Sequence, residues 1–181
     1  MKMNSNLITI NVQRGNATQK FIPGLEVSEY ERISQLIFEH NKSGYYFLFS
    51  NVVRHAKRLA QYLNYLTYRD QSYKTPCYAG RLNVTLYNTG KLHPCEMLND
   101  TYGNVREFDY DLKGMLTSSK ARDITAPIIQ DRCFCTHECN QITNVLFNPR
   151  YLPQLLFGPK GMSAGSNGVK QAVPNLNKIV H

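Results

Sequence analysis

The chain has 181 residues, 42% of them apolar, and a formal net charge of +8. That is enough apolar side chain for a core and suits one domain, or one domain with appendages. None of its hydrophobic stretches approaches the roughly 18 uninterrupted apolar residues that span a bilayer, and the first apolar run is too short and too polar for a signal peptide. The reading is a cytoplasmic chain without a membrane span. In that setting the Asn-x-Ser/Thr triplets at Asn16, Asn41, Asn83 and Asn99 are chance products of a chain rich in Asn and Thr.

In chain order, residues 7–12 alternate apolar and polar like a strand and leave through the polar Gln13-Arg14-Gly15-Asn16. Ser28 and Glu31 form a capping-box pattern ahead of Tyr30, Ile33, Leu36, Ile37 and Phe38 at helical spacing, which predicts a helix over 28–41. Lys42-Ser43-Gly44 stop it, and 45–49 is an aromatic run compatible with a strand or with the start of the next helix. Val53, Ala56, Leu59, Ala60, Leu63 and Leu66 keep the helical period over 50–69, the longest element. That helix also carries the densest basic residues, Arg54, His55, Lys57, Arg58 and Arg69. Nucleic-acid binding calls for clustered cations, and the plainer account of this spread is a solvated helix face.

A break near residues 73–76 separates this part from a smaller one. Residues 78–94 read as an apolar strand, a tight turn at Gly90 and a short return strand, which brings Cys77 and Cys95 together. Residues 96–104 read as a loop, Asp109 as the cap of a helix through Leu116, 119–129 as a weaker helix with Pro127 near its end, and 144–156 as a final packed segment. From residue 158 on, Gly, Pro, Ser and Asn dominate, the composition of a tail. Three units follow: 1–74, 75–157 and 158–181.

The five cysteines are Cys77, Cys95, Cys133, Cys135 and Cys139. In a reducing compartment such residues are metal ligands or free thiols more often than disulfides. Three thiols within Cys133-Phe134-Cys135-Thr136-His137-Glu138-Cys139 have little packing rationale, so these five are the candidate metal ligands. Zinc and a four-iron, four-sulfur cluster both take four ligands, which leaves one thiol over. Cys135-x3-Cys139 fits a zinc knuckle, whereas Cys77 and Cys95 stand 17 residues apart and make none. By chemistry alone a cluster, a zinc site and unmetallated thiols all stay open. His93 and His137 are mixed-site ligand candidates and more readily partners of the ligating thiols. Glu96 and Glu138 fall in the same supporting class. Arg14 and Arg106 are candidate anion binders, with surface or ion-pair roles as the default.

The ordered phrases Thr75-Pro76-Cys77-Tyr78-Ala79-Gly80, Gly90-x4-Cys95, His93-Pro94-Cys95-Glu96, Gly103-Asn104-Val105-Arg106-Glu107 and Cys133-x-Cys135-x3-Cys139 cover about residues 75–157. Together they resemble the auxiliary-cluster region at the carboxyl end of radical S-adenosylmethionine (radical SAM) enzymes, called SPASM, or twitch when shortened to one cluster. Residues 7–16 are similar to the last strand of that family's partial TIM-type barrel. The resemblance implies an α+β fold: the last strand and helices of such a barrel, then a small hairpin-plus-helix cluster domain. It also implies one auxiliary 4Fe-4S cluster, because five cysteines stand where the two-cluster pattern has seven. By position, Cys77, Cys95 and Cys139 are its ligands, with Cys135 taken over Cys133 as the fourth.

The family's catalytic Cys-x3-Cys-x2-Cys motif is missing, since Cys135-x3-Cys139 is followed by Ile142. S-adenosylmethionine cleavage then belongs to a complete parent enzyme, and the chain reads as a carboxyl-terminal fragment or a stand-alone auxiliary domain. The implied partners are an amino-terminal radical SAM half or full-length homologue and a peptide or small-molecule substrate. The implied role is electron relay or substrate positioning. The competing class is a zinc-stabilised interaction module, with nucleic acid as one partner.

Overall fold

The computed structural model describes residues 8–11, 25–43 and 48–159. Arg14 and the tail from residue 160 onward lie outside them, as does most of the 45–49 aromatic run. The described residues form an α+β fold of helices and one small antiparallel sheet.

Helix α1, Val27–His40, begins one residue before the predicted start. Its capping box is made by Glu26 and Glu29; Ser28 and Glu31 both lie inside the helix. The expected strand over 7–12 is not formed in its described part, residues 8–11. There the Asn41 side chain replaces a partner strand: its Oδ1 accepts from the Ile8 amide at 2.9 Å and its Nδ2 donates to the Ile8 carbonyl at 2.8 Å. The alternation of residues 7–12 describes an extended chain whose polar backbone groups find a side chain.

Helix α2, Ser50–Asp70, is the scaffold. One side packs Tyr65 and Tyr68 on Tyr30 of α1, with the Tyr30 and Tyr68 rings edge to face at 4.8 Å. The other side presents Ala56, Leu59, Ala60 and Leu63 to Val145, Tyr151 and Leu155. Several basic residues of α2 are engaged within the protein. Arg58 is buried, donates to the Phe38 carbonyl at 3.2 Å and lies 4.1 Å over the Phe38 ring. Burial lowers the pKa of its guanidinium. Lys57 pairs with Glu138, and Arg69 with Asp70, which Lys74 also meets at 2.6 Å.

Hydrogen bonds from Arg69 and Lys74 outweigh burial and hold the Asp70 carboxyl down at about 2, against 3.8 when unperturbed. The contribution of this pairing is present above pH 4 and is lost as pH falls from about 4 to about 2. Asp70→Asn is expected to cost roughly 0.5–1 kcal/mol near neutrality, as for partly exposed pairs, and nothing near pH 2. Parallel thermal melts of both proteins at the two pH values read the difference.

The smaller layer is a three-stranded sheet in the order β1 (Thr85–Leu86), β2 (Lys91–His93), β3 (Gly103–Asn104). Thr85 faces His93 and Leu86 faces Leu92; Lys91 faces Asn104 and Leu92 faces Gly103. The predicted turn at Gly90 is present, with φ +86° and its amide on the Tyr87 carbonyl at 2.8 Å. The first strand is far shorter than predicted: residues 78–83 coil into a turn closed by Gly80 on the Asn83 carbonyl at 2.8 Å. The predicted loop over 96–104 ends in β3, where short Gly-Asn pairing escapes a periodicity reading.

A 3-10 turn, Val105–Phe108, leads to α3 (Leu112–Thr117) and α4 (Ser119–Gln130). Asp109, expected to cap a helix, has φ +50° and closes the 3-10 turn. Asp111 caps α3, accepting from the Gly114 amide at 2.9 Å. Leu92, Tyr102, Val105, Met115 and Ala121 make the core between sheet and helices. Arg132, with φ +52°, turns the chain out of α4 into the cysteine run. Helix α5, Glu138–Leu146, and α6, Leu152–Phe157, complete the predicted packed segment against α2.

Candidate metal centre

The cysteine-rich loop is held between the end of α4 and the start of α5. The Cys133 amide bonds the Ile128 carbonyl at 3.0 Å. Residues 133–137 then run without regular structure to His137, which precedes the first turn of α5. That first turn has no side-chain cap from His137; the Glu138 amide is taken instead by Asn11 Oδ1 at 3.0 Å. The amino-terminal segment thereby anchors the loop that carries three thiols.

All five cysteines are free thiols. Cys77 and Cys95 are buried beside Ala79 and Ile128, with Cys133, Met97 and Leu98 packed against them. The Cys77 thiol hydrogen-bonds with that of Cys133. Cys95 lies close enough to Cys135 and Cys77 to feel their charge, and Cys139 to feel that of Cys135. The hairpin and the loop thus deliver their sulfurs to one region from three parts of the chain.

Each of three sulfurs also receives backbone N–H donors that favour its thiolate: Ala79 on Cys77, Met97 and Leu98 on Cys95, and Asn140 on Cys139. An Asn144 side-chain bond adds to Cys77. Against these donors, the Cys133 thiol and burial hold the Cys77 thiol well above its ordinary range, and burial raises Cys95. Partial burial and then Glu96 push Cys139 up to about 11. These three thiols are therefore neutral near pH 7 without metal, and a bound cation reverses that balance.

Cys77, Cys133, Cys135, Thr75, Gln141 and Asn144 line a hollow of about 10 Å³, room for roughly one water. A preformed four-cysteine zinc site, with Zn–S near 2.3 Å, would keep its sulfurs roughly 4 Å apart. Among the described residues, the one group of ligand atoms lying within 4.8 Å of one another is Glu96, His137 and Cys139, which contains a single thiol. His137 Nδ1 is 2.7 Å from Cys139 Sγ, and its Nε2 is 3.0 Å from Glu96 Oε2.

The other candidates are placed away from the sulfurs or beside them in supporting roles. His93 stands edge to face on Tyr87 with its Nδ1 3.4 Å from the Leu98 carbonyl. Glu138 pairs with Lys57. Arg106, a candidate anion binder, donates to the Thr89 carbonyl at 2.6 Å, and Asn104 Nδ2 meets the same oxygen at 3.1 Å. These two residues of the Gly-Asn-x-Arg phrase clamp the hairpin turn that leads to Cys95. Sequence reasoning missed Asn144, whose Oδ1 also accepts from the Tyr78 amide at 2.8 Å. The available signal was a buried polar face on α5, with Asn140, Gln141 and Asn144 at positions i, i+1 and i+4. No protein-family model, curated protein or solved structure matches this chain, so its centre is assigned from its own residues.

Proposed function

We propose that the chain is an auxiliary-cluster domain of the radical SAM type, holding one 4Fe-4S cluster on four of its five cysteines. The observation that carries the reading is the convergence of free thiols from three stretches of chain: Cys77 and Cys95 pack together with Cys133 against them, Cys135 and Cys139 lie within electrostatic reach, and backbone amides serve Cys77, Cys95 and Cys139. A buried thiol serving only as core needs no such donors. A cubane binds one thiolate at each of four separated irons, so it suits ligands that arrive singly from separate loops, as Cys77 and Cys95 do. When bound, the cluster supplies a one-electron carrier.

This chain's residues then have defined tasks. Cys77 and Cys95 fix the buried side of the centre from the two ends of the hairpin. The 133–139 run supplies the remaining thiolates from the less buried side, with Cys135 and Cys139 the pair that the family pattern selects. The amides of Ala79, Met97 and Leu98 stabilise thiolate charge, and the apolar shell of Ile128, Met97 and Leu98 limits water. Residues that would hold S-adenosylmethionine are not among the cysteines, because Ile142 stands where a third ligand is needed. The role proposed is electron relay or substrate positioning during radical modification of a peptide or small metabolite, with the radical generated by residues outside this sequence.

Protein reconstituted without oxygen is expected to carry about four irons and four sulfides per chain, with the broad brown absorption of a cluster. Cys95→Ala is expected to abolish both. Stoichiometric zinc with no sulfide in anaerobically purified protein would overturn the reading. It would favour the second one, a zinc-stabilised interaction module, which the Glu96, His137 and Cys139 group supports as a ready mixed-ligand site.

A further inference from the structure

Thr75 is buried at 5% exposure, lines the hollow beside Cys77, Cys133 and Cys135, and has no hydrogen-bond partner for its hydroxyl. Buried hydroxyls are rarely left this way. Several other polar groups of the lining are committed: Lys74 to Asp70, Gln141 to Asn144 at 3.2 Å, and Asn144 to the Tyr78 amide and Cys77. A threonine in a turn often bonds one of the amides that follow it, and here none of them takes the Thr75 hydroxyl. An unpaired hydroxyl is thus buried in a lining that also holds Cys77, Cys133 and Cys135.

We propose that Thr75 is a potential-setting residue, its hydroxyl donating to a ligand sulfur or sulfide of the centre once the cluster is loaded. The inference rests on the cluster reading above. A donor to sulfur stabilises the more negative, reduced state, so it raises the reduction potential. In the metal-free chain the same hydroxyl is an unpaired burden. Its removal should then stabilise the empty protein while changing the loaded one electronically.

The experiment compares Thr75→Val, which preserves shape, with Thr75→Ser, which keeps the hydroxyl. Iron, sulfide, reduction potential and the exchangeable-proton couplings of the reduced cluster's pulsed EPR spectrum are measured for each. Thr75→Val is expected to load iron like the wild type, to shift the potential to more negative values and to lose one exchangeable coupling; Thr75→Ser keeps the wild-type values. Metal-free Thr75→Val is expected to melt a few degrees higher than wild type. An unchanged potential and spectrum in a fully loaded Thr75→Val protein would overturn this inference and leave the cluster reading standing. Absence of iron and sulfide from the wild type would overturn both. Should Thr75→Val fail to load, an equal failure of Thr75→Ser would overturn the role given to the hydroxyl, and loading of Thr75→Ser with the wild-type potential would support it.

Discussion

Replacing Cys77 with alanine is expected to bring iron from about four per chain to below one, with sulfide lost in parallel. Several interactions converge on Cys77: it is buried, bonded to Cys133, and served by the Ala79 amide and the Asn144 side chain. Alanine leaves those donors without an acceptor and removes one thiolate from the buried side of the centre. The metal-free variant should keep the far-UV circular dichroism of the wild type, because a buried Cys→Ala change costs about 1 kcal/mol. That control separates loss of a ligand from loss of the fold. Because the wild-type thiols are held protonated, Cys139 up at about 11, loading is also expected to release protons and to weaken as pH falls. Retention of the full iron content by Cys77→Ala would remove Cys77 from the ligand set.

The second large effect is expected at Gly80, where alanine should cost roughly 2–4 kcal/mol. Gly80 has φ +78°, and a Cβ there would stand 2.5 Å from the Tyr102 hydroxyl and 2.9 Å from Thr125 Oγ1. Those two oxygens are bonded to each other at 2.8 Å inside the core, so neither can move without leaving a buried polar group unpaired. For a domain of this size the loss lowers the melting temperature by roughly 5–15 °C. The turn that carries the Ala79 amide to Cys77 shifts with it, so iron loading should fall as well. Adding Tyr102→Phe removes the nearest clashing atom and is expected to recover part of the stability, a coupling that a double-mutant cycle measures. A wild-type melting temperature for Gly80→Ala would show that the turn yields without cost.

Much of the fold was legible where periodicity is strong and side chains decide the outcome. The 3.6-residue spacing of α1 and α2 placed both helices to within a residue or two, because each buries a continuous apolar stripe. Gly90 announced its turn for the same kind of local reason, a backbone angle that other residues resist. The misreadings fell where a distant group took over a local role. Asn41 supplied the bonds that residues 8–11 were expected to find in a sheet, and Asn11 capped α5. Asp109 and Asp111 are equally good caps on paper, and the left-handed turn at Asp109 and Tyr110 left the work to Asp111.

At the centre the division is similar. Ligand chemistry can be read from the letters alone: five thiols, no third cysteine after Cys135-x3-Cys139, and the hairpin that returns Cys95 toward Cys77. It took packing to bring the 133–139 run to this hairpin, to set Cys77 against Cys133, and to place His137 and Glu96 beside Cys139. Packing also left the Thr75 hydroxyl unpaired and gave Asn144 its donor role. The physical reason is range. Thiol chemistry belongs to the residue and is written in its letter, whereas Cys133 and Asn144 reach Cys77, and Glu96 reaches Cys139, from more than forty positions away, where only packing brings them.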